Sequence, residues 1–470
     1  MAGPLPAAGG SGDALGGTLS DTLRMYTRLC NSVLFPLHER LKSHHSIAMW
    51  RALEESQWWP AERLLDLQLK RLRGFLVEAG RHVPYYRDLF ASLRFDATQA
   101  TSLAALGTLP FLDKATIRAN ADRLQSETAG KLVKYNTGGS SGEPLVFYMG
   151  MDRVSHDVAA KRRATRWWGV DIGDTEIVLW GSPVELGKQD RIKALRDRVF
   201  RSHLLPAFEM SDTQMDAYLE TVGRLRPAML FGYASALALL ATHAERSGRD
   251  MRQSGVKVAF TTGETLYPGQ RAVIERVFAA PVANGYGSRD AGFIAHQCPG
   301  GSLHLSAEHM VVELVDEAGA PVAPGNIGEI VTTHLATADF PFIRYRTGDM
   351  AALATDPCPC GRGLPSFREV FGRSTDFVRT PMGNTMHALA LIYEVRDKPG
   401  VKAFKFIQDA DLSLQLLLVS GPELTSDVES SIRKGILRRM GGGCELTIRR
   451  VDGIPPEKSG KHRYVVSRAR

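Results

Sequence analysis

Six consecutive residues, Thr137-Gly138-Gly139-Ser140-Ser141-Gly142, combine three glycines with three hydroxyl side chains, and the run Leu145-Val146-Phe147-Tyr148 after them reads as a strand. Glycine permits the positive-φ conformations in which successive backbone N–H groups converge. Such a loop therefore offers N–H and hydroxyl donors to an anionic oxygen, the chemistry of a phosphate cradle. It is not the P-loop of nucleoside triphosphatases, because Glu143 stands where that motif has lysine and no helical pattern follows at once. A solvated hairpin turn is the structural alternative for the loop taken alone.

A second constellation is Cys298, His304, Cys358 and Cys360, in the forms Cys-x5-His and Cys-Pro-Cys-Gly-Arg. Four soft or borderline ligands in two close pairs suit tetrahedral zinc, and with no position left open such a site is structural. Buried free cysteines are the alternative. Cys30 and Cys444 have no such company and read as inert.

Four shorter motifs are strung along the rest of the chain. They are Asn284-Gly285-Tyr286-Gly287-Ser288-Arg289-Asp290, Tyr345-Arg346-Thr347-Gly348-Asp349, Gly372-Arg373-Ser374-Thr375-Asp376 and Ser459-Gly460-Lys461.

The elements that must position these residues are legible in outline. Leu65, Leu69, Leu72, Leu76 and Ala79 recur at helical spacing between Pro60 and Pro84, and this helix is expected to pack on its own domain rather than lie on a membrane. From Val133 onward the pattern is α/β: the runs 175–180, 228–231 and 256–260 alternate with helical patterns at 235–243 and 269–278, as buried parallel strands with crossover helices would. Residues 302–350 read as strands and turns without helices, which suits a barrel or a mixed sheet. A final segment of α+β pattern follows the Gly372–Asp376 turn.

A chain of 470 residues with 44% hydrophobic and 23% charged residues is too long for one core and ordinary for a globular protein of two or three domains. No run approaches a membrane span, residues 1–20 lack the charged and apolar regions of a signal peptide and read as a disordered tail, and five cysteines make no disulfide framework; the cytoplasm is the expected compartment. Residues 431–470 hold eleven Lys/Arg against three carboxylates, so the net charge of +7 is concentrated at the C-terminal end. That points to an anionic partner there: a nucleotide, a phosphorylated thiol cofactor or an acidic carrier protein. Nucleic acid is disfavoured, since no recognisable module or interleaved aromatics occur in the segment.

In order and spacing the loop and the four motifs resemble the adenylate-forming ligases, most closely the phenylacetate-CoA ligase branch and its relatives in capsular polysaccharide clusters; the Gln57-Trp58-Trp59-Pro60 and Pro84-Tyr85-Tyr86-Arg87 segments extend the likeness over nearly the whole chain. The resemblance implies an α/β fold. A large N-terminal domain of sheets with flanking helices and a barrel-like β region (21–375) is joined to a small mobile α+β domain (376–470). It implies ATP-dependent activation of a carboxylic acid to an acyl-adenylate with release of pyrophosphate, then transfer to coenzyme A, or alternatively to an amine, a hydroxyl or a carrier-protein thiol. A non-catalytic nucleotide-binding scaffold of polysaccharide assembly is the rival of a different class.

Carried over residue by residue, Thr137, Gly138, Gly139, Ser140, Ser141 and Gly142 would hold the β- and γ-phosphates. Gly263 and Glu264 would lie against the adenine, Tyr286 would stack on it, and Gly287 and Ser288 would approach the α-phosphate or acyl group. Asp290 stands where the family usually has a glutamate ligand for Mg2+, and Asp349 would accept the ribose hydroxyls. Arg373 would reach the nucleotide, Asp376 would be the hinge, and Lys461 would be the catalytic lysine. Some relatives carry zinc where Cys298, His304, Cys358 and Cys360 stand. Tyr233, Phe260 and Thr261 are assigned by fold position to the acyl pocket. The acid itself is not legible.

Overall fold

The structure is a computed structural model that describes residues 25–136, 145–181, 191–207, 210–373, 377–383, 385–387, 389–395, 398–454 and 464–469. A short hairpin pairs β1 (Val133–Asn136) with β2 (Val146–Met149). Eleven strands then form one sheet. Its parallel half holds β3 (Glu176–Trp180), β4 (Ser202–Pro206), β5 (Met229–Gly232), β6 (Val258–Thr262) and β7 (Val282–Ser288), in the order β4-β3-β5-β6-β7. Its antiparallel half continues from β7 through β8 (Gly292–Gln297), β9 (Leu303–Leu305), β13 (Ser366–Arg373), β12 (Tyr345–Leu353), β11 (Ile327–His334) and β10 (Met310–Val315). The central strands β5 and β6 are buried at every position, as strands covered on both faces must be.

The helix-free region thus forms the antiparallel half of a mixed sheet. It also curls. β7 and β12 are four strand steps apart, about 19 Å across a flat sheet, yet the Tyr286 hydroxyl of β7 reaches Asp349 of β12 at 2.8 Å. The barrel-like character is therefore curvature within one sheet rather than a separate closed barrel.

The helix expected between Pro60 and Pro84 spans Ala61–His82, but its inward stripe is Leu64, Gln68, Leu72, Leu76 and Ala79, while Leu65 is exposed. The correction has a specific cause: Gln68 sits in the stripe because its amide donates to the carbonyls of Ala307 and Met310 at 2.8 and 2.6 Å, so a polar residue is buried at no hydrogen-bonding loss. Pro84 does not merely stop this helix. It starts the next one, Pro84–Leu93, where its missing N–H costs nothing.

Beyond residue 376 the chain builds its own core. β14 (Phe377–Arg379) pairs with β15 (Thr385–His387). A separate four-stranded sheet, β18-β17-β16-β19, is made of β16 (Val401–Gln408), β17 (Leu414–Ser420), β18 (Leu446–Arg450) and β19 (Val465–Ser467). Phe404, Phe406 and Leu416 are buried there with Ile432 and Ile436 of the helix Ser426–Met440. Tyr464 meets Tyr267 of the larger part edge-on at 5.4 Å.

Candidate active site

The C-terminal ends of β5, β6 and β7 lie together where the sheet changes from parallel to antiparallel pairing, the kind of switch point at which α/β sheets bind ligands. Tyr286 is half-buried at the end of β7, its ring edge-on to Phe367 at 5.9 Å and its hydroxyl donating to Asp349. Burial, and then the Asp349 carboxylate, push this phenol well above its usual range, so it remains a donor. Register places Arg373 directly opposite Asp349 on β13. The bulge between Tyr286 and Gly287, and the close approach of Gly287 to the Gly292 carbonyl, where a Cβ would stand 2.2 Å from the oxygen, turn the end of the strand.

Asp290 occupies the β7–β8 turn and is 5% exposed. Its oxygens accept from the Ser288 hydroxyl and, at 2.5 Å, from the Tyr345 hydroxyl, and the Lys114 ammonium stands 3.9 Å away. Burial opposes its charge, but the two hydroxyls and the lysine outweigh it and hold the carboxyl below its usual range. An ionised carboxylate among hydroxyl oxygens fits a hard cation, and Oδ2 already faces the Tyr345 hydroxyl with the Lys114 ammonium beyond it.

Two arginines that sequence reasoning did not assign fasten this turn, Arg289 to the β1–β2 hairpin and Arg153 to the helix after it. Arg289 donates from Nη1 to the carbonyl of Asn136, the last residue before the glycine-rich loop, at 3.0 Å. Arg153, 1% exposed on the helix Met151–Arg166 that follows β2, donates to the carbonyls of Arg289 and Asp290 at 3.3 Å and to Asp157 at 3.1 Å.

Beneath the clasp His156 meets His309 and His334 with ring centroids 4.9 and 4.8 Å apart, and Arg163 pairs with Glu308 at 2.6 Å. Burial depresses His296, to about 3, and holds His309 and His334 well below the usual imidazole range. Among the described residues Nε2 of His156, of His296 and of His334 has no hydrogen-bond partner, the setting in which internal water is found.

Beside the ends of β5 and β6, Tyr233 is half-buried and stacks on Trp180 with centroids 4.2 Å apart, and both press on Gly263, where a Cβ would stand 3.2 Å from the Tyr233 ring. Burial and the Glu264 carboxylate push the Tyr233 phenol up to about 12. Glu264 accepts from the Ser235 N–H at 3.0 Å. Phe260 and Thr261, assigned with Tyr233 to the acyl pocket, are both fully buried, Phe260 stacked on Phe231 and Thr261 donating to the Ala283 carbonyl. Trp180 lies beside Tyr233, and no spacing signal marked it.

The four predicted zinc ligands do converge. Their ligand atoms lie within 4.8 Å of one another, with Cys298 Sγ 3.6 Å from Cys358 Sγ and His304 Nε2 3.2 Å from Cys360 Sγ. A tetrahedral zinc with bonds of about 2.0 to 2.3 Å needs ligand separations of about 3.5 to 3.8 Å, close to these. His304 Nδ1 lies 3.0 Å from the Leu364 carbonyl, and donation there leaves Nε2 as the lone pair facing the thiols. Next to the cluster, Gln57 accepts from Arg362 at 3.0 Å and from the Trp167 indole at 2.8 Å, so the Gln57–Pro60 segment is docked on the cysteine loop.

Residues 137–142, Asp376 and Lys461 lie outside the described residues, as does the tail 1–20, and of Arg373 only the backbone is described.

Two family models match the chain: AMP-binding enzyme over residues 200–338, which takes in Gly263, Glu264, Tyr286 and Asp290, and CapK C-terminal domain over residues 378–468. Protein CapK of Staphylococcus aureus is 23% identical over 408 residues, 86% of this chain and 89% of that protein. The chain is an adenylate-forming ligase homologue. Within the adenylate-forming ligases it is similar to the phenylacetate-coenzyme A ligase of Aromatoleum evansii, 25% identical over 330 residues, 67% of this chain and 72% of that one. The adenylate-forming fold is also that of a crystal structure of 2-hydroxyisobutyryl-CoA ligase in the postadenylation state, with a TM-score of 0.72 at 19% identity over 88% of this chain and 91% of that one. The same enzyme in its thioesterification state gives 0.60.

Proposed function

We propose that the protein couples a carboxylic acid to AMP and passes the acyl group to the thiol of coenzyme A. In the first step the acid's carboxylate oxygen attacks the α-phosphorus of ATP and the bond to pyrophosphate breaks. In the second, the thiolate attacks the acyl carbon, AMP leaves and the thiol proton goes to solvent. The observation that carries this reading is the Tyr286–Asp349 pair at the sheet's switch point, with Arg373 opposite: a donor-held carboxylate beside an aromatic ring suits a ribose and a base. Gly287 and Ser288 would then lie toward the α-phosphate, and Thr137 to Gly142 would hold the outer phosphates, kept near by the Arg289–Asn136 bond.

Asp290 would hold the Mg2+ that accompanies ATP and neutralises charge on its phosphates. Residues 376–470 would form a mobile domain turning about Asp376 and bringing Lys461 to the site, and the basic segment 431–470 would face the phosphates of coenzyme A. Cys298, His304, Cys358 and Cys360 would hold a structural zinc that fastens the cysteine loop to the Gln57–Pro60 segment. The names of the phenylacetate-coenzyme A ligases and of 2-hydroxyisobutyryl-CoA ligase support coenzyme A as acceptor.

A second reading, transfer to an amine, a hydroxyl or a carrier-protein thiol in polysaccharide assembly, is favoured by the CapK match over 378–468, the region that would handle the acceptor. Pyrophosphate release across a panel of acids, with and without coenzyme A, tests both. Acid-dependent release with a thioester product supports the first reading, and release without a thioester supports the second. ATP binding with no acid-dependent release would leave a non-catalytic nucleotide-binding scaffold.

A further inference from the structure

Residues 25–42 run as one helix, α-helical over 25–29, π-helical over Cys30–Leu34 and α-helical again over Phe35–Lys42. One face is pinned to the body. The Tyr26 hydroxyl donates to the Val199 carbonyl and Thr27 to Asp174, both at 2.8 Å; Arg162 donates to Asn31 at 2.7 Å, and Phe35 packs edge-on to Phe200.

The opposite face is a row of Met25, Leu29, Val33, Leu37 and Leu41, each between 46% and 77% exposed. A strict spacing of four overshoots a turn of α-helix by about 40° at every step, which would wind the row around the helix. The wider turn of the π segment undershoots and brings it back into line. A surface helix ordinarily has one apolar face, turned to the core. This one has a second, held outward by a helix that its inner face keeps fixed.

The charges beside the row are of one sign. Arg28, Arg40 and Lys42 are exposed along residues 25–43, and the single carboxylate of that stretch, Glu39, is buried against Ser46 and His44. A two-fold pairing of this face with a second copy would oppose the Arg28 end to the Arg40–Lys42 end, like charge on like. An apolar row flanked by cations without carboxylates matches the boundary between headgroups and acyl chains of an anionic bilayer.

We propose that the outward face of residues 25–42 docks the protein on an anionic membrane surface, with the apolar row entering the acyl boundary and Arg28, Arg40 and Lys42 meeting lipid phosphates. No described helix is long and apolar enough to cross a membrane, so the attachment is peripheral.

The test is vesicle flotation of the full chain. Vesicles of phosphatidylcholine with about 30 mol% phosphatidylglycerol should carry the protein, and phosphatidylcholine alone should carry it roughly tenfold less. The double variant Leu37→Ser/Leu41→Ser keeps every charge and touches only outward side chains; its thermal melt should match the parent while its binding to the anionic vesicles falls roughly tenfold. Undiminished binding of the double variant would assign the affinity to basic residues elsewhere and overturn the proposal. So would failure of the parent to bind anionic vesicles, or a parent dimer in sedimentation that the double variant dissolves while neither binds lipid.

Discussion

Tyr286 and Asp349 are joined by a 2.8 Å hydrogen bond between strands that stand four apart in the sheet. The bond fixes the carboxylate before any ligand arrives. If Asp349 holds a ribose, Asp349→Ala removes the acceptor outright and should weaken ATP binding by roughly a hundredfold, the scale of charge-assisted hydrogen bonds. Tyr286→Phe, which keeps the ring and loses only the positioning bond, should cost roughly tenfold. Calorimetry with ATP measures both, and an unchanged affinity in Asp349→Ala would mean that the ribose is bound elsewhere.

The clasp of Arg289 on the Asn136 carbonyl ties the β7–β8 turn to the entrance of the glycine-rich loop. Arg289 is exposed, so Arg289→Ala should leave the melting temperature nearly unchanged, yet it should lower kcat/KM for ATP by roughly tenfold by loosening the relative placement of the two. Equal kinetics in the variant and the parent would show that the turn and the loop are positioned independently.

For the cysteine cluster, metal analysis of protein purified without chelator should find about one zinc per chain, because a filled four-ligand site contributes folding free energy. Cys360→Ser should lower thermal stability more than it lowers nucleotide affinity. Zinc-free protein with the same melting temperature as the metal-analysed sample would reject the site.

Acid should destabilise the fold earlier than carboxylates alone would require. His296, His309 and His334 are neutral when folded and protonate near pH 6.5 when unfolded, so between pH 6.5 and the depressed folded values the unfolded state binds more protons and stability falls as pH falls. Each contributes a slope of up to about 1.4 kcal/mol per pH unit. Asp290, depressed below the carboxylate range, adds its loss only at lower pH and in the same direction. Denaturant titrations at pH 7, 6 and 5 should show the midpoint dropping throughout; a flat midpoint over that interval would mean these rings are already charged in the folded protein.

Lys461→Ala should separate the two half-reactions. If the lysine bridges the attacking carboxylate and the α-phosphate, adenylate formation falls by orders of magnitude while capture of a chemically supplied acyl-adenylate by the thiol survives. Pyrophosphate exchange run beside thioester formation decides it, and equal loss in both, or in neither, would sink the assigned role.

Periodicity and spacing carried much of this architecture. The apolar runs that announced β5 and β6 work because strands covered on both faces must be apolar, and the Cys298/His304 and Cys358/Cys360 pairs announced their cluster because soft ligands in two close pairs suit one tetrahedral site. What stayed hidden involves partners remote in sequence. Gln68 belongs to a buried stripe only because Ala307 and Met310 offer carbonyls, and Arg153 matters only because a turn 136 residues later lies over it. The histidines at 156, 296, 309 and 334 meet only after the sheet curls, and Trp180 faces Tyr233 only once β3 and β5 pair.

The placement of β13 has a consequence for the order in which the chain can assemble. It is the last strand of the large sheet to be synthesised, yet it inserts between β12 and β9 rather than at an edge. A nascent chain that has emerged only through β12 presents two unpaired strand edges, which invite pairing with other chains. The Asp349 face of the site also lacks its neighbour until Arg373 has been added. If Asp349 holds the ribose, nucleotide binding should follow the emergence of residues 366–373, and a fragment ending before Ser366 should aggregate rather than behave as a smaller binding domain.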